Sequence, residues 1–103
     1  PFCDIAVISL TSPLELELQR IAKQLTEEIA NLSKNSFSDV PLAVFGPFEA
    51  PVYKVENKYR IRTVIKCRLN KRSRELFSTL LKTFSKDNSK SVSISIDFNP
   101  SNL

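Results

Sequence analysis

Tyr59-Arg60-Ile61-Arg62-Thr63-Val64-Ile65-Lys66-Cys67-Arg68-Leu69 alternates along its whole length. Tyr59, Ile61, Thr63, Ile65, Cys67 and Leu69 fall on one side; Arg60, Arg62, Val64, Lys66 and Arg68 fall on the other. A period of two is the mark of a β-strand, and this one has an apolar face for a core and a basic face turned away from it. Asn70 follows as a helix cap, and Leu76, Phe77, Leu80, Leu81 and Phe84 then recur at three- and four-residue spacing. The period thus switches from strand to helix within a few residues, and Asp87-Asn88-Ser89 ends the helix.

The same reading extends outward in both directions. Upstream, Glu56-Asn57-Lys58 is a tight hairpin connection, with Asn57 tolerant of a left-handed backbone. It joins the alternating strand to Val52–Val55, where strand character resumes after the second strand, Val40–Phe45, is interrupted by Gly46-Pro47 and Pro51. Those breaks suit an edge strand, where lost ladder bonds cost least. Earlier still, Leu18, Ile21, Ala22, Leu25, Ile29 and Leu32 form one stripe of a helix ending near Lys34 and Asn35. Its start is predicted at Ser12 as N-cap, with Pro13 in the first helical position and Glu15 closing a capping box. The opening run, Phe2–Leu10, is apolar enough for a central strand. Downstream, Val92, Ile94, Ile96 and Phe98 alternate with Ser91, Ser93, Ser95 and Asp97 before Asn99-Pro100.

The element order is therefore strand, helix, strand, strand, helix, strand. This predicts an α+β fold of the ferredoxin-like split βαβ kind (βαββαβ): a four-stranded antiparallel sheet with two helices on one face. Right-handed crossovers place the first and third strands centrally and the second and fourth at the edges. A chain of 103 residues with 42% hydrophobic and 25% charged residues suits one such domain, residues 1–103. With no methionine and an opening directly into an apolar run, it reads as a segment of a longer protein.

Composition weighs against catalysis. The sequence has no histidine and one glycine, Gly46, so proton shuttles, histidine-paired nucleophiles and glycine-rich phosphate loops have no material here. Cys3 and Cys67 lack the short paired spacing of zinc ligands and are expected to be reduced and buried. No apolar run approaches the length of a membrane span and no leader is evident, which suggests a cytoplasmic setting.

Charge is the one functional signal. Residues 1–51 carry 3 Lys/Arg against 7 Asp/Glu, whereas residues 52–103 carry 12 against 4. Such a basic half favours an anionic partner. Arg60, Arg62, Lys66 and Arg68 repeat every ~6.6 Å along one strand face, a row suited to the phosphates of an extended single strand. Lys71, Arg72 and Arg74 crowd the first turn of the second helix, where its dipole disfavours cations unless a phosphate or carboxylate answers them. Removing Arg72 or Arg74 should then leave stability unchanged or slightly raised. The outward residues of the middle strands are arginine and lysine in place of stacking aromatics, so a base-stacking RNA reader is not expected.

Val44-Phe45-Gly46-Pro47-Phe48-Glu49-Ala50-Pro51, Lys58-Tyr59-Arg60-Ile61-Arg62 and Ile96-Asp97-Phe98-Asn99-Pro100, with the opening Pro1-Phe2-Cys3-Asp4, resemble the C-terminal domain of primosomal protein N′, the PriA family of replication-restart helicases. The resemblance spans nearly the whole chain. It implies the fold of a small-subunit ribosomal protein and attachment to a DNA helicase of replication restart and repair. That helicase would use ATP, magnesium and zinc, none of which this chain is expected to bind. Implied partners are single-stranded or branched DNA, the helicase core of the same polypeptide, and the acidic C-terminal tail of single-stranded-DNA-binding protein. The tail contact would be a basic residue at the start of the second helix, Arg74 or Arg72. A rival reading makes the domain a protein-docking module for core and tail without DNA affinity of its own.

Overall fold

The computed structural model describes residues 3–87 and 91–101. The elements run β1 (Asp4–Ser12), α1 (Glu15–Lys34), β2 (Leu42–Val55), β3 (Lys58–Cys67), α2 (Lys71–Asp87) and β4 (Ser93–Phe98). One antiparallel sheet has the order β2-β3-β1-β4, so the first and third strands are central and the second and fourth lie at its edges.

Alternation decides which face is covered. Ala6, Ile8 and Leu10 of β1 and Ile61, Thr63, Ile65 and Cys67 of β3 are buried on the helix side. Against them pack Leu18, Ile21, Ala22, Leu25, Ile29 and Leu32 of α1 and Leu76, Phe77, Leu80 and Phe84 of α2 in one cluster. The predicted stripe of α1 is buried at all six positions. Leu81 and Phe98 depart from expectation, each 38% exposed: Leu81 turns off the α2 stripe, and Phe98 ends an edge strand. Phe98 still meets Phe77 edge-on at 5.5 Å. The place assigned to Phe2 lies outside the described residues.

The two helix starts exchange the devices read from sequence. Ser12 pairs with Tyr59 in the ladder, so it belongs to β1, and α1 begins only at Glu15 with Leu14 as an uncapped N-terminal residue. The Ser12 hydroxyl accepts the Leu14 N–H at 3.0 Å, outside the helix, and a Glu15 carboxylate oxygen accepts the Tyr53 hydroxyl at 2.9 Å. No capping box forms there. At α2 a reciprocal one does: the Ser73 N–H donates to Asn70 Oδ1 at 3.0 Å and the Asn70 N–H donates to Ser73 Oγ at 2.9 Å. Ser73 is buried and its hydroxyl also donates to the Arg68 carbonyl at 2.9 Å, tying the end of β3 to the helix.

The edge strand needs a second correction. The second strand begins at Leu42, not Val40, and runs on as one bent element, Leu42–Val55, that pairs with β3 in two limbs. Counted by limb, the sheet has five strand segments instead of four. The second limb closes the hairpin, where Glu56 (φ 52°) and Asn57 (φ 64°) both adopt the left-handed backbone that a two-residue I′ turn demands.

Cys3 is exposed, because it precedes the first ladder pair at Asp4, while Cys67 is buried. Burial pushes the Cys67 thiol above its usual value. At this same end of β1, Asn99 (φ 48°) accepts the Ile5 N–H at 2.9 Å and donates to Asp4 at 3.2 Å. Its own N–H donates to the Ile5 carbonyl at 2.7 Å, so the Asp97-Phe98-Asn99-Pro100 ending secures β4 to β1.

Candidate nucleic-acid interface

The sheet face away from the helices is built by parity. On β3 the outward residues are Arg60, Arg62, Val64 and Lys66, opposite Thr11, Ser9, Val7 and Ile5 of β1. On β4 the corresponding positions are Ser93, Ser95 and Asp97. Val7 is buried here too, beneath the middle of the face. Arg60, Arg62 and Lys66 form the basic column predicted from the alternation. Arg68 does not join them: β3 ends at Cys67, and Arg68 stands exposed in the link to α2.

A feature of β2 completes the face. Phe45 lies opposite Val64 and Phe48 opposite Arg62, so β2 advances three residues while β3 advances two. The extra residue is a bulge at Gly46-Pro47. In an uninterrupted strand, residues three apart point to opposite faces. The bulge restores the lost parity and turns both phenylalanines to the open side, 43% and 52% exposed. Gly46 makes this possible with φ 108°, and a Cβ there would stand 3.1 Å from the Arg62 carbonyl oxygen. Lys66 Nζ rests over the Phe45 ring, 5.3 Å from its centroid. Phe45 and Phe48 escape a reading that treats Gly46-Pro47 as the end of a strand. The signal was the interruption itself, one residue too many between two aromatics.

The second basic group sits on the helix layer. The Arg74 guanidinium lies 5.4 Å from the centroid of Phe98, whose partner Ala6 faces the core, so this group is separate from the open face. Arg72 is occupied within the chain. Its Nε and one terminal nitrogen donate to the two Asp39 oxygens at 2.9 Å each, that nitrogen donates to the Ser36 carbonyl at 2.9 Å, and the other donates to Glu75 at 3.0 Å. The guanidinium also stacks 4.5 Å from the Phe37 centroid. These acids raise the Arg72 pKa, and in return the Arg72 bonds hold the Asp39 carboxyl below its usual range. Lys71 and Arg74 remain exposed in a first turn that holds no acidic residue.

Among the described residues no group of three or more His, Cys, Asp or Glu side chains is placed to hold a metal. No helix among them is long and apolar enough to cross a membrane.

A family model of the primosomal protein N C-terminal domain matches residues 1–101. The chain belongs to that family. No curated protein matches it. Membership in the primosomal family ties the domain to replication restart. The residues that first suggested this family now have structural tasks: Gly46-Pro47 makes the bulge, Ala50 is buried where β2 arches back to the core, and Asn99 closes the sheet.

Proposed function

We propose that this primosomal domain is a DNA-binding accessory unit of an ATP-dependent restart helicase, contacting the phosphates of single-stranded or branched DNA with the open face of its sheet. The observation that carries the reading is the column Arg60, Arg62 and Lys66, aligned on one strand face. Its hydroxyl-bearing neighbours on β1 and β4 can donate further hydrogen bonds to phosphate oxygens. The sheet order supports classifying the fold as ferredoxin-like, with the small-subunit ribosomal protein likeness that the family implies. The chain supplies no catalytic group. ATP, magnesium and zinc belong to the remainder of the helicase.

Titration of the 103-residue chain with single-stranded, duplex and forked oligonucleotides across a salt series tests this. Each neutralised phosphate on a single strand contributes a slope of about −0.7 in log affinity against log salt. Arg60→Glu with Arg62→Glu should flatten that slope and abolish measurable binding. An unchanged titration for the double variant removes the column from the site.

Lys71 and Arg74 favour a second role on the other layer. Exposed cations in a helix turn without an acid of its own suit an acidic peptide, the chemistry of the single-stranded-DNA-binding protein tail. Arg72, paired with Asp39, would position Phe37 and the turn instead of touching the tail. Amide shifts on adding the peptide should centre on residues 70–78 and weaken in Arg74→Ala. Shifts centred elsewhere would shift the docking reading to the helicase core.

A further inference from the structure

The column of cations explains attraction to phosphate, but it does not explain two exposed phenylalanines beside it. Burial of Phe45 and Phe48 would be the default for rings of that size. Here a bulge costs β2 its regular ladder and requires a left-handed glycine, and its result is to hold both rings outward. Among the described residues, Leu14 and Leu16 are more exposed than either ring, but they lie among Glu15 and Glu17 at the start of α1, an acidic setting. Phe45 and Phe48 instead stand next to Lys66 and Arg62.

We propose that Phe45 and Phe48 are stacking platforms for two successive bases of a single strand whose backbone is held by Arg60, Arg62 and Lys66. The inference rests on the DNA-binding reading and specifies its ligand: nucleic acid with unpaired bases. The partners of the two rings on β3, Val64 and Arg62, are one same-face step apart, about 6.8 Å, a stride that an extended strand with separated bases can follow. Lys66 Nζ lies over the Phe45 ring itself, so a stacking base would displace this flexible ammonium from the ring face toward the phosphate beside it. Charge complementarity selects the occupant. An apolar protein surface would gain from the rings and lose by desolvating the cations, whereas a single strand satisfies both. Because every base offers a π face, the platform favours single strands over duplex without reading sequence. The aromatics come from the edge strand, which is why the middle strands give no hint of them.

The test uses the 103-residue chain with three probes: oligothymidine of about 12 nucleotides, an abasic strand of equal length and charge, and a duplex. Oligothymidine should bind at least about tenfold more tightly than the abasic strand. Phe45→Ala with Phe48→Ala should erase that difference while leaving the abasic affinity and the salt slope unchanged. Since both rings are exposed, the variants should fold, and circular dichroism checks it. Phe48→Trp should keep the preference, and Phe48→Leu, apolar but without a π face, should lose it. Equal binding of abasic and thymidine strands by the native chain, with loss on reversing Arg60 and Arg62, overturns stacking while leaving phosphate contact intact. Full activity of Phe48→Leu would make the contact merely apolar and overturn it as well. No binding of any strand would overturn the DNA-binding reading itself, and stacking with it.

Discussion

Arg72 and Asp39 meet through two parallel 2.9 Å hydrogen bonds across 33 residues of sequence, clasping the turn after α1 to the first turn of α2. The planar guanidinium fits both the carboxylate and the Phe37 ring beneath it, a combination that a lysine ammonium cannot reproduce. Arg72→Ala should therefore lower the melting temperature, and Arg72→Lys should recover little of the loss. This reverses the expectation that a cation at a helix start can be removed without penalty. Thermal melts of the two variants decide it, and equal melting of Arg72→Lys and the native chain would show that the fork is not used.

The same clasp makes stability sensitive to acid. Bonds from Arg72 lower the Asp39 pKa, and the Leu69 N–H, at 2.8 Å, followed by Asn99, lowers that of Asp4, both below the usual 3.8. Each group therefore binds a proton more weakly folded than unfolded. Their contribution is fully present above about pH 3.8 and is lost as pH falls through the lowered folded values. Melting temperature should fall as pH drops below about 4. Asp39→Asn should start lower at pH 6 and show a shallower fall, and an acid profile identical to that of the native chain would exclude Asp39 as a source.

Thr63 offers a change in the opposite direction. It is wholly buried at the centre of β3, paired with Ile8, and its hydroxyl has no hydrogen-bond partner among the described residues. Thr63→Val keeps the shape and β-branching while removing the unsatisfied group, and should stabilise the domain by about 1 kcal/mol. Denaturant unfolding would measure it as a raised midpoint at constant slope. A loss of stability would mean that the hydroxyl is satisfied in solution.

The caps give a paired comparison. Asn70→Ala removes the acceptor of the Ser73 N–H and should cost about 1 kcal/mol, with α2 fraying from its start. Ser12→Ala should also destabilise, by leaving the Leu14 N–H without its acceptor, yet α1 should still begin at Glu15. Amide exchange at residues 71–74 and 15–18 separates the two outcomes.

What could be read from sequence was whatever repeats locally. The period of β3, the stripe of α1 and the turn read at Glu56-Asn57-Lys58 each depend on residues within a few positions of one another, and each appears where the local pattern puts it, except that Lys58 already pairs with Val55 and leaves a two-residue turn. Ser12 misled because its identity suits a cap, while its backbone was already engaged by Tyr59 on a distant strand. Arg72 looked uncompensated because Asp39, its partner, is brought near only by packing. The basic column could be read because it lies on a regular strand. Phe45 and Phe48 could not, because their facing depends on the register of β2 against β3, which no local pattern encodes.

The bulge at Gly46-Pro47 also says which change of length this domain can absorb. A substitution at Gly46 would strain one turn of backbone. Deleting either residue would instead remove the bulge, leaving Phe48 two places after Phe45 on a regular strand, still outward opposite Arg62, with Glu49 still opposite Ile61. Loss of one residue at this point therefore preserves the register, whereas a second loss or an added residue would turn Phe48 inward. In relatives of this domain, single-residue deletions in the first limb should be confined to the bulge, and other insertions and deletions should fall beyond Glu49, in the arch before Lys54.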